Sequence, residues 1–80
     1  MKPRDRKSLT VDVVERRRIY FRLKQKVFDR GRLEWGIIVA LTNEGCLLRR
    51  SAWKDGVWNI DRWFVEYAHV RPYRDGTRYL

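Results

Sequence analysis

The sequence predicts a small, mainly β single domain, and three observations carry that prediction. Glycines fall at 31, 36, 45, 56 and 76, and four of these five sit in turn-like settings, "DRGR", "TNEG", "KDG" and "RDGT". Asp-Gly supplies the positive φ that a tight hairpin needs, and a nearby Asn or Asp can close the turn by bonding its own backbone. The runs between these turns are short and rich in β-branched and aromatic residues, as the strands of a meander are. Hydrophobic residues make up 44% of the 80-residue chain and aromatics 14%. That is too much apolar bulk for a disordered chain, and it suits a compact, aromatic-rich core.

The elements follow in order. In "RRRIYFRLKQK" and the residues that follow it, period two places Ile19, Phe21, Leu23 and Val27 with Gln25 on one face and Arg18, Tyr20, Arg22, Lys24 and Lys26 on the other. A helix would scatter Phe21 and Phe28 among the cations, so the pattern favours a strand over residues 18–28. Asp12 and Glu15 are spaced as a capping box, which leaves room for a short helix over "VVERRR" before that strand. "LEWGIIVALT" is apolar on both faces and reads as a central strand, with "GCLLRRSAW" as its hairpin partner. "VWNI" gives a further short strand. "DRWFVEY" reads as a single helical turn with Asp61 as N-cap and Trp63, Phe64 and Tyr67 aimed at the core. "AHVRPY" closes the domain as a strand stopped by Pro72, which cannot donate to a ladder.

Four to five short antiparallel strands with one helical turn before the last strand resemble a Src-homology-3-like small barrel of the Tudor or KOW kind. The resemblance rests on "WGIIVALTNEGCLLRR" and on the closing "EYAHVRPY". It implies a binding module and no particular ligand, because such folds host many functions. On this reading residues 1–12 are a basic, flexible N-terminal extension, 13–73 the small β-barrel domain and 74–80 a C-terminal tail.

Composition narrows the function classes. A single cysteine, Cys46, excludes an intrachain disulfide and points to a reducing cytoplasm. The longest apolar run, "WGIIVAL", is too short to span a bilayer, so no membrane role is expected. Cys46 lies in an apolar run and His69 between Ala68 and Val70, so both read as structural side chains, with His69 partly buried. A Cys46–His69 dyad is the one arrangement that would revive catalysis. No zinc-ligand spacing or phosphate-binding glycine loop occurs, and the expectation is a non-enzyme with no catalytic residues, no metal and no cofactor.

The formal net charge is +9, and the first 34 residues hold twelve Lys and Arg against five Asp and Glu. Such a concentrated excess is the electrostatic footprint of a polyanion binder. The nucleic-acid-binding candidates are Arg16, Arg17, Arg18, Tyr20, Arg22, Lys24, Lys26, Arg30 and Arg32. A strand presents cations about every 6.5–7 Å along one line, near the phosphate spacing of an extended strand, and Tyr20 among them can stack on a base. The same row would also serve simply to keep an outward strand face solvated. Trp53 and Trp58, flanking "KDG", are the candidates for a partner groove, while Trp35 and Trp63 read as core. The expected partner is DNA or RNA. The alternative is an acidic protein, or a second copy of the chain joined through a barrel edge.

Overall fold

The computed structural model describes residues 7–12 and 18–73. Among them run seven strands: β1 (Ser8–Asp12), β2 (Arg18–Arg22), β3 (Lys26–Asp29), β4 (Glu34–Leu41), β5 (Gly45–Lys54), β6 (Val57–Glu66) and β7 (Val70–Pro72). The one helical element among the described residues is a 3₁₀ turn, Tyr67–His69, immediately before β7. The mainly β prediction therefore holds. The sheet is not closed into a barrel: β1 and β2 form a two-stranded sheet, and the other five lie in the order β6-β5-β4-β3-β7, all antiparallel. Ser8–Asp12, inside the stretch read as an extension, pairs with β2. The helix considered over "VVERRR" spans residues 13–18, of which 13–17 lie outside the described residues and Arg18 begins β2; the tail at 74–80 also lies outside them.

Two predicted elements change. The strand read over 18–28 divides into β2 and β3, which belong to different sheets. The break is set by Lys24, whose φ of 69° lies in the left-handed region. The chain is held there by Lys24 N–H donating to Ile38 O at 2.8 Å and Ile38 N–H donating to Gln25 O at 3.0 Å. The helical turn read over "DRWFVEY" is instead the second half of β6. Asp61 resembles an N-cap in isolation, but Val, Trp, Phe and Ile favour a pleated surface. An unbroken register with β5, from Gly45–Glu66 to Lys54–Val57, pairs all ten residues and bonds the backbone of every second one to β5.

The core lies between the two sheets. Phe21 from β2 is fully buried and stacks on Tyr67, ring centroids 5.3 Å apart. Val27, Ile38, Leu41, Cys46, Leu48, Val65 and Val70 complete the cluster, with Leu9, Val11, Ile19, Leu23 and Trp63 packed against it. The inward apolar face predicted for Ile19, Phe21, Leu23 and Val27 thus survives the division of the strand. In β4 a bulge between Ile38 and Ala40 shifts the alternation, so Leu41 joins Ile38 inside while Val39 is exposed. Gly45 does not make its turn through a positive φ; Thr42 closes that turn with its hydroxyl, accepting from Gly45 N–H at 3.1 Å. A side chain at 45 would strike the Val65 backbone and the Phe64 ring, so this glycine is needed for the close approach of β6.

Candidate nucleic-acid interface

Arg16 and Arg17 lie outside the described residues. Arg18, Tyr20 and Arg22 alternate outward on β2 and are exposed, as period two requires. Arg18 Nε donates to Asp12 Oδ1 at 3.1 Å across the β1–β2 pair. Lys24 is exposed at the break and Arg30 is exposed in the β3–β4 turn.

The remaining two predicted cations are drawn back onto the protein. Lys26 Nζ sits 4.3 Å from the Trp35 ring centroid and 4.1 Å from that of Tyr73. Its charge is therefore satisfied by two aromatic faces that tie together β3, β4 and the end of β7. Arg32 lies over Trp63 at 4.2 Å, and its Nη2 reaches Asp61 Oδ2 at 2.9 Å and Glu34 Oε2 at 3.3 Å. The continuous row of four cations and Tyr20 does not form, because a sheet boundary cuts it and one end is occupied by aromatic rings.

A different surface brings aromatics and cations together. β5 and β6 form one long hairpin closed by Asp55 and Gly56, at φ 54° and 77°, the two positive values of a type I′ turn. Every residue from Ser51 to Ile60 is exposed. Residues directly opposite in an antiparallel pair share a face. One face of this ribbon therefore carries, from the tip inward, Trp53 with Trp58, Ser51 with Ile60, Arg49 with Arg62, and Leu47 with Phe64. Trp53 and Trp58 are 60% and 63% exposed and meet edge to face, centroids 5.3 Å apart. Arg49 and Arg62 are exposed, with no ion pair among the described residues. Arg50 points back, its guanidinium 5.0 Å over Trp35.

Comparison with protein-family models, with curated proteins and with solved structures found no match.

The site has to be read from its own chemistry. Trp53 and Trp58 were legible as surface candidates; Arg49, Ile60, Arg62 and Phe64 were not. The signal for them was the "KDG" turn itself. A two-residue loop at Asp55–Gly56 fixes the register, so pairs whose numbers sum to 111 lie opposite one another, and they follow once the strands are extended past Trp58.

Cys46 and His69 do not meet as a reactive pair. Cys46 is fully buried, and burial, aided by the nearby Asp29 charge, pushes its thiol up to about 12. His69 is exposed rather than partly buried, and it borders an open depression with Asp29, Arg32, Trp63 and Glu66 that Cys46 does not line. Asp29 in that depression is structural: Oδ1 accepts from Gly31 and Arg32 N–H, and Oδ2 from Trp63 Nε1 at 2.8 Å. Among the described residues no His, Cys, Asp and Glu side chains group as metal ligands, and no helix is long and apolar enough to cross a membrane.

Proposed function

We propose that the chain is a non-catalytic nucleic-acid-binding module that takes single strands on the open face of the β5–β6 ribbon. Cations hold phosphates, and base readout is small. The observation that carries this reading is the stepping of aromatic and arginine pairs along one exposed face, Trp53/Trp58 and then Arg49/Arg62. These two pairs lie four residues apart, about 13 Å along a strand, roughly two nucleotide steps of an extended chain. Bases stack on indole faces without regard to sequence, while guanidinium groups meet the backbone. The net charge of +9, with Arg22 and Lys24 exposed on the far side of the core, adds long-range attraction. The likeness to Src-homology-3-like barrels belongs to the same proposal and supports a binding module without selecting the ligand.

The test is a salt-titrated anisotropy assay with labelled single- and double-stranded DNA and RNA. The expected result is preference for single strands and a log–log salt slope of about −0.7 per phosphate contact. Absence of binding at low ionic strength, or a flat salt dependence, overturns the reading. A duplex preference would mean the ribbon enters a groove instead of stacking on open bases. A second reading, docking on an acidic protein, is favoured by Val57, Ile60 and Phe64, exposed at 59%, 55% and 52% beside the tryptophans. A complex with an acidic protein that survives nuclease treatment would support it.

A further inference from the structure

The two edges of the five-stranded sheet differ. β7 is three residues long and ends on Pro72, which has no N–H to offer. β6 runs ten residues, Val57–Glu66, with no proline, no lysine and no register shift against β5. Natural sheets blunt their edges with those devices, and a long apolar edge without them is a template for another strand. The two-residue loop makes Lys54–Val57 a hydrogen-bonded pair. Trp58, Ile60, Arg62 and Phe64 consequently turn their N–H and C=O groups away from β5, toward the open side.

We propose that two copies of the chain associate by antiparallel pairing of their β6 strands about a two-fold axis perpendicular to the sheet. Isologous pairing requires β6 to be complementary to itself, and its charges select the register. An axis at Asp61 or at Arg62 sets that residue directly against its own copy, like charge on like charge. An axis at Trp63 brings together two Arg32 guanidinium groups, since Arg32 lies 4.2 Å over that ring. An axis at Ile60 has none of these conflicts. Ile60 then faces Ile60 of the partner subunit, Trp58 faces the partner's Arg62, and Asn59 faces the partner's Asp61. These are an apolar pair, a cation over an aromatic ring, and an amide beside a carboxylate. β6 itself carries only Asp61, Arg62 and Glu66 as charged residues, a net charge of −1 within a chain of +9, so the edge strand adds no net cationic repulsion to the pairing. The axis keeps the Trp53/Trp58 faces of both ribbons on one side, as a continuous four-stranded surface. The inference does not depend on the nucleic-acid reading, and the two respond to salt with opposite sign. Salt screens repulsion between cationic copies and tightens the dimer, whereas it weakens phosphate binding.

Variants of the full chain that each add one cysteine beside Cys46 read the register. Paired hydrogen-bonded residues lie about 5.5 Å apart between Cα atoms, within disulfide reach. Under mild oxidation, Ile60→Cys is expected to give a covalent dimer of twice 9.8 kDa, while Asp61→Cys and Arg62→Cys stay largely uncrosslinked. Cys46, fully buried, does not compete. By sedimentation velocity without nucleic acid, the unmodified chain is expected to dimerise more tightly as NaCl rises from about 50 to about 500 mM. Ile60→Lys, at a 55% exposed site, should weaken the dimer by about tenfold or more and leave the thermal melt in place. A 9.8 kDa species at every concentration and salt, equal crosslinking at all three positions, or a dimer indifferent to Ile60→Lys would each overturn the proposal.

Discussion

The root and the tip of the β5–β6 hairpin share one register and similar apolar content, and they differ in what lies over them. At the root Cys46, Leu48 and Val65 are buried beneath the β1–β2 layer, where Phe21 and Tyr67 stack. At the tip Trp53, Val57, Trp58 and Ile60 are all at least 55% exposed. The same pattern of alternating strand residues thus serves stability at one end and presents a surface at the other. Burial, not residue type, separates core from candidate site: Leu48 is fully buried, whereas the larger Trp58 is 63% exposed.

The strongest way to break this contrast is at the root. Leu48→Ala removes a fully buried side chain beside Gly36 and Trp63 and is expected to cost about 3 kcal/mol, measured by urea unfolding. Next comes the tip, where Trp53→Ala or Trp58→Ala should change stability by about 1 kcal/mol or less. Either should weaken single-strand binding by about tenfold, in line with one lost stacking contact. A tryptophan variant that unfolds the domain, or one that binds normally, would remove the distinction between the two ends.

The smallest effect sharpens the root alone. The buried Cys46 thiol has a folded pKa of about 12 against an ordinary 9.0, so between those values the unfolded chain loses a proton that the folded chain keeps. Stability is therefore unaffected below pH 9 and falls as pH rises above it, by at most about 1.4 kcal/mol per pH unit. Cys46→Ala should flatten that alkaline slope in thermal melts between pH 9 and 11, while lowering stability at neutral pH through the small cavity it leaves.

Much of the fold was legible because local chemistry decides it. Asp55–Gly56 dictates a two-residue hairpin loop, and period two correctly separated Phe21 and Val27 from Tyr20 and Arg22. The division at Lys24 was not legible, since a lysine carries no signal for a left-handed backbone and only the bonds to Ile38 and Gln25 hold it there. Nor was the extent of β6, where Asp61 looks like a cap until the whole of β5 is laid beside it. The candidate site was half visible: Trp53 and Trp58 stood out, but Lys26 was counted as a surface cation although Trp35 and Tyr73 enclose it.

What the sequence determined by itself is the mainly β class, the turn that joins β5 to β6, the concentration of charge and the alternation of inward and outward faces, all consequences of short-range geometry. What the tertiary structure alone decided is which apolar residues the second layer covers and which cations find an aromatic or acidic neighbour. Those outcomes depend on residues distant in the chain meeting in space. A local pattern specifies the face on which a side chain stands and cannot specify what stands opposite.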